Sequence, residues 1–162
     1  MMTMRVVCAL DGSPASRSAL AFAVEEAELR QAPLECVVAH ATLSARWSGD
    51  ARLATALSQD QADEMQALAR NLLDAVTEER GRPITAAITV TLLNGPPAEV
   101  IEDHLEPSDL LVIGARGLGG VRRLLLGSVS GALVQTAPCP VVVIRPVGDQ
   151  GAVVTAATEG AG

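Results

Sequence analysis

The sequence contains no lysine: all 12 basic residues among its 162 are arginine. Mechanisms that rely on a lysine ammonium are thereby excluded, the Walker A phosphate lysine and Schiff-base chemistry among them. Tyrosine is also absent, and one Phe and one Trp are the only aromatic residues. Such a chain has no stacking platform for single-stranded nucleic acid. Asp and Glu number 19, for a net charge of -7, the wrong sign for a duplex or for an anionic membrane surface. Three widely spaced cysteines, Cys8, Cys36 and Cys139, include no C-x-x-C pair. They read as buried thiols in a reducing compartment rather than as a disulfide framework. His40 and His104 have no Cys or His three or four positions away, so metal-ligand spacing is missing. No apolar run approaches the roughly 18 residues of a membrane span. The expectation is a cytoplasmic protein with no nucleic-acid or membrane partner.

What the chain does have is an alternation of short apolar runs with helical patterns. Arg5 to Leu10, Leu34 to Ala41, Ile84 to Leu93, Leu110 to Ile113 and Val141 to Ile144 read as strands, each closed by Gly, Pro, Asn or Asp or followed by a helical segment. Between them, Pro14 to Arg30, Asp60 to Arg80, Ala98 to Leu105 and Ser128 to Thr136 carry helical spacing, with Ser13 and Pro14 suited to the cap and first turn of the first helix. The segment from Trp47 to Ser58 carries weaker signals and reads as a loop running into the second helix. Leu110-Leu111-Val112-Ile113 shows no polar alternation, the mark of a strand covered on both faces. Five strands alternating with four helices imply a doubly wound parallel sheet with helices on both faces. Residues 1–147 are expected to form one domain, and the small, polar, periodless stretch 148–162 a disordered tail.

In such sheets ligands sit outside the carboxyl ends of the strands, where the strand order reverses. The loops that matter are Asp11-Gly12-Ser13 and the glycine-rich stretch Gly114 to Ser130, which includes Arg116, Arg122 and Arg123. Glycines allow close approach of a phosphate, the free N–H groups of Ser128, Val129 and Ser130 at a helix start would face an anion, and the serine hydroxyls and arginines add donors. The dinucleotide fingerprint G-x-G-x-x-G fails, because Gly117-x-Gly119 is followed by Arg122 where glycine is required. What remains is G-x2-G-x9-G-S, from Gly114, Gly117, Gly127 and Ser128. Chance supplies roughly 0.01 matches to G-x2-G-x9-G-[ST] in a chain of this composition. Asp11 also reads as a helix cap, although Ser13 is better placed for that task. His40 reads as a structural residue within a strand, and His104, beside Glu102 and Asp103, as part of a solvated helix face.

With these motifs in order, VVCALDGS (Val6 to Ser13), VAHA (Val38 to Ala41), SDLLVIGARG (Ser108 to Gly117), LGSVS (Leu126 to Ser130) and APCPVVV (Ala137 to Val143), the sequence resembles the universal stress protein family, in particular its ATP-binding branch. The resemblance implies a sheet in the order 3-2-1-4-5 and a site for ATP, with Mg2+ accompanying the phosphates. It implies that Asp11, with Ala9 and Ser13 nearby, holds the adenosine end. Main chain at Ala41 contacts adenine, at a position where the family often has a larger apolar residue. Gly114, Arg116 and Gly117 line the ribose and phosphates, and Gly127, Ser128, Val129 and Ser130 hold the phosphate chain.

The expected function is a nucleotide-dependent regulatory role in the stress response, acting on a protein partner, with slow or no hydrolysis because no general base is placed near the glycine-rich loop. The alternatives are an adenylyl- or pyrophosphate-transfer enzyme and a nucleotide-free interaction module. The same sheet order leaves Val141-Val142-Val143-Ile144 at an edge, wholly apolar and β-branched, which soluble proteins normally cover. A homodimer paired through Val141 to Arg145 would cover it, and so would a tail folded back from Gly148.

Overall fold

The computed structural model describes residues 4–40, 51–115, 126–146 and 154–157, with the backbone alone described at 51–58 and 154–157. Ten elements follow in order: β1 Val6–Leu10, α1 Pro14–Arg30, β2 Leu34–His40, α2 Ala51–Arg80, β3 Ile88–Asn94, α3 Pro97–His104, β4 Leu110–Gly114, α4 Ser128–Thr136, β5 Val141–Ile144 and β6 Val154–Ala157. The sheet runs β3-β2-β1-β4-β5-β6. Its first five strands are parallel and stand in the expected order, with helices flanking them.

Alternation along the strands divides the core in two, because successive side chains leave opposite faces. Val6, Cys8 and Leu10 of β1 face α1 and α2, beside Leu34, Cys36 and Val38 of β2. Val7 and Ala9 face α3 and α4, beside Val37, Leu111, Ile113, Val141 and Val143. The helix α1 lies close against its face because Ala15, Ala19, Ala23 and Ala27 recur every fourth residue and are all buried. It ends at Gln31, whose left-handed φ of 53° lets its N–H reach the carbonyls of Ala27 and Glu28, a closure more often made by glycine. All three cysteines are free and buried. Burial pushes the Cys8 thiol well above its ordinary value, Cys36 to about 12 and Cys139 to about 11, so these thiols are structural.

At the amino ends of the strands a polar clamp fastens β1, β2, β4 and α3. The Arg5 guanidinium donates to both carboxylate oxygens of Asp109, at 2.9 and 2.8 Å, to Glu35 and to the His104 carbonyl. Glu35 accepts from the Thr91 hydroxyl at 2.6 Å and lies 2.8 Å from His104 Nε2. His104, expected on a solvated helix face, is therefore a partner of a buried acid 69 positions earlier; helical periodicity carries no information about such a pairing.

Two further expectations change. The second helix begins at Ala51 rather than Asp60, and the third strand at Ile88 rather than Ile84. Of the tail expected to be disordered, Val154–Ala157 forms β6, antiparallel to β5 with Ile144 opposite Val154 and Val141 opposite Ala157. The edge expected to be open is thus covered from within the chain. The cause is the row of unpaired N–H and C=O groups on β5, which accept a partner strand whatever its side-chain pattern. Among the described residues, no helix is long and apolar enough to cross a membrane.

Candidate functional site

At the carboxyl ends of β1 and β4, where the chain order along the sheet reverses, two loops and two helix starts converge. Their relative height is set by the sheet register, which pairs Ala9 with Ile113 and Gly114 with Ile144. Asp11, Gly12 and Ser13 then turn the chain from β1 into α1. Gly12 has φ of +80°, a conformation costly for a residue with a Cβ. A Cβ there would also come within 3.0 Å of Leu68 on α2. Asp11 is exposed, and its Oδ1 accepts from the Ser13 N–H at 2.8 Å, while the Ser13 hydroxyl accepts from Ser16 N–H at 3.1 Å. Ser13 is therefore the helix cap, as expected, and Asp11 pins the turn with one oxygen.

Across the crevice, Gly114 closes β4. A Cβ on it would fall 2.8 Å from both the carbonyl carbon and the Cβ of Ala15. Only glycine lets the first turn of α1 seat this close to β4. Beyond it, Ala115 is buried and organises the start of α4: its carbonyl accepts from Gly127 N–H at 2.6 Å and from the Ser130 hydroxyl at 2.9 Å, while its own N–H donates to Ile144 at 2.7 Å. Ala115 was not singled out in the sequence, although it adjoins Gly114 within the GARG stretch.

The start of α4 differs from the other described helix starts. The helix α1 is capped by Ser13, and α3 carries Glu99 in its first turn. For α4, Gly127 offers no side-chain cap and the first turn holds no acid. The N–H groups of Ser128, Val129 and Ser130 have no intrahelical acceptor by the geometry of any helix start, and the helix dipole places partial positive charge there. Oxyanions are what such a terminus accepts. Ser128 is exposed and its hydroxyl adds a donor, but Ser130 is buried and its proton is directed to the Ala115 and Gly127 carbonyls. From Ser130 an anion would therefore receive the main-chain N–H and not the hydroxyl.

Of the sequence-predicted site residues, Asp11, Ser13, Gly114, Gly127, Ser128, Val129 and Ser130 are brought to this crevice. Ala9 lies on β1 one step before it, buried against the α3 and α4 face. Ala41, Arg116 and Gly117 lie outside the described residues. His40 is half-buried at the end of β2, with its carbonyl accepting from Gly95 N–H at 2.9 Å, as expected of a structural residue.

Fold and site together define a doubly wound α/β protein that presents an uncapped helix start at the switch point of its parallel sheet. The chain belongs to the universal stress protein family, whose profile matches residues 2–145. It is 34% identical over 148 residues to the universal stress protein in the QAH/OAS sulfhydrylase 3' region of Thermus aquaticus, covering 89% of this chain and 100% of that one. Among solved structures, universal stress protein UspA from Lactobacillus plantarum superposes with a TM-score of 0.73 at 26% identity, over 88% of this chain and 97% of the other. A universal stress protein from Archaeoglobus fulgidus, solved in complex with dAMP, matches with a TM-score of 0.54 at 25% identity over 88% and 98%.

Proposed function

We propose that this protein binds ATP in the crevice between the β1 and β4 ends and acts as a nucleotide-dependent regulatory protein of the stress response in the cytoplasm. The observation that carries the reading is the uncapped α4 start, set against β4 by the Ala115 carbonyl. The complex of the Archaeoglobus relative with dAMP supports an adenine nucleotide as the ligand class. In this reading the N–H groups of Ser128, Val129 and Ser130 and the Ser128 hydroxyl hold phosphate oxygens. Asp11 takes the adenosine end, Gly114 gives the ribose and phosphates room, and Ala41, Arg116 and Gly117 complete the contacts. Mg2+ would neutralise part of the phosphate charge. Of the described site residues Asp11 alone ionises, and its place at the adenosine end leaves no general base beside the phosphates. Hydrolysis is accordingly slow or absent.

Nucleotide released by acid from the purified protein, identified by mass, tests the ligand, and calorimetry with Gly127→Trp tests the site. Gly127 has an extended backbone at φ -73° and ψ 172°, so an indole there is compatible with the fold but occupies the anion position. ATP affinity should fall at least about tenfold, the equivalent of one lost charge-assisted hydrogen bond of about 1.4 kcal/mol. Undiminished affinity would remove the α4 start from the phosphate site. AMP and pyrophosphate formed on incubation would point instead to the transferase alternative.

A further inference from the structure

We propose that β6 is a displaceable cap on the β5 edge, competing with the β5 edge of a second copy of this chain for one pairing window. The window is narrow. Pro140 and Pro146 bracket β5, and proline has no N–H to extend a ladder. All four residues between Val141 and Ile144 are already matched to β6. A second strand therefore cannot settle beside β6 at an offset; it must take the place of β6.

The geometry the edge adopts with β6 is also the one a second copy would need. Two identical strands related by a two-fold axis pair antiparallel, and β6 runs antiparallel to β5. Pairing centred between Val142 and Val143 sets Val141 opposite Ile144 of the other copy and keeps the two Arg145 side chains at opposite ends. The partner strand would bring Val-Val-Val-Ile, backed by an entire sheet, in place of the Val-Thr-Ala-Ala of β6.

What β6 has in its favour is its tether. Residues 145–153 join the two strands, and a tether of this length holds β6 near its site at an effective concentration of order millimolar. At micromolar protein that is about a thousandfold advantage per equal contact. Dimerisation must uncap two edges, so a capping constant of only about 3 weakens the observed dimer by about (1 + 3)², or about 16-fold. The tail then sets the concentration at which the protein pairs.

The test is sedimentation equilibrium on nucleotide-stripped protein, which keeps it independent of the ATP reading. Three proteins are compared: the full chain, the chain ending at Val147, and full-length Thr155→Pro/Ala156→Pro. Adjacent residues of a strand point their N–H groups to opposite sides, so the double proline variant removes at least one bond to β5 without touching the parallel sheet. The truncated and proline variants should dimerise at least about tenfold more tightly than the full chain. Equal affinities, a tighter full-length dimer, or a truncated chain that stays monomeric to millimolar concentration would each overturn the proposal. Hydrogen exchange at a dilution where all three are monomeric supplies a second reading. The edge-directed amides of Val141 to Ile144 should be protected in the full chain and lose protection on truncation; unchanged protection would show that β6 does not cap.

Discussion

Gly114→Ala adds a single methyl group at the point where α1, β4 and the candidate site meet, and the structure fixes the sign of its effect. The new Cβ would lie 2.8 Å from the Ala15 carbonyl carbon, 2.8 Å from its Cβ and 3.0 Å from its carbonyl oxygen. Ordinary contact begins near 3.4 Å, so the first turn of α1 must retreat by about half an ångström. The obstructing atoms are mostly backbone and cannot swing aside as a side-chain tip would. Forcing an extra methyl into a close-packed contact costs about 1 to 3 kcal/mol. At roughly 2 to 4 °C per kcal/mol for a chain of this size, Tm should fall by about 2 to 12 °C. Because α1 carries the Asp11 to Ser13 turn with it, affinity for adenine nucleotide should fall too. Gly131→Ala is the control. The Cβ there meets only Leu126 Cβ, at 3.8 Å, inside α4, and replacing a helical glycine by alanine stabilises by up to about 1 kcal/mol. The same substitution should thus lower Tm at one site and raise it at the other, as measured by thermal and denaturant unfolding. A Gly114→Ala protein as stable as the parent would refute the close approach of α1 to β4.

Two other perturbations separate structure from binding. In Asp11→Asn the amide oxygen still accepts from Ser13 N–H, as Asp11 Oδ1 does, leaving an NH2 group that can only donate; Tm should hold while calorimetry shows ATP, ADP and AMP weakened alike, and wild-type affinity for all three would remove Asp11 from the adenosine end. Burial pushes the Glu35 carboxyl up, but the Thr91 hydroxyl, His104 and Arg5 outweigh it and hold its pKa below the ordinary 4.5. A carboxyl lowered by folding contributes stability above its unfolded pKa that is lost as pH falls through the folded one. Denaturant titrations from pH 6 downward should therefore show stability falling below about pH 4.5, with a shallower acid slope in Glu35→Gln. Parallel slopes would mean that the clamp does not distinguish the charged from the neutral acid.

How much of this was legible in the sequence depended on whether the cause was local. The limits of α1, α4 and β5 follow from signals within a few residues: Ser13 and Pro14 at a start, Pro138 and Pro140 around a break, an uninterrupted Val-Val-Val-Ile run. The crevice residues were legible because glycines and serines at fixed spacing act through their own backbone. The clamp was not, since nothing near Arg5 in sequence indicates that its partners are Glu35 and Asp109. The start of α2 was obscured because Ala51 to Ser58 carry mixed signals. Nor was β6, whose Val-Thr-Ala-Ala has no pattern of its own and is a strand because β5 offers it an edge. The role of the Ser130 hydroxyl depended on where the Ala115 carbonyl came to rest, which only the packed chain defines.

The position of β1 in the middle of the sheet also governs how the protein is made. Its two neighbours are β2, which follows closely, and β4, which does not; Arg5 and its anchor Asp109 are 104 positions apart. At about 5 to 20 residues per second of translation, that interval takes roughly 5 to 20 seconds. Throughout it the nascent chain carries Val6 to Leu10, five residues buried in the finished molecule, with one flank unpaired. Until β4 leaves the ribosome, α1 and β2 are the only shelter that strand has, so substitutions weakening that first unit should reduce the yield of folded protein more than their effect on the completed fold would suggest.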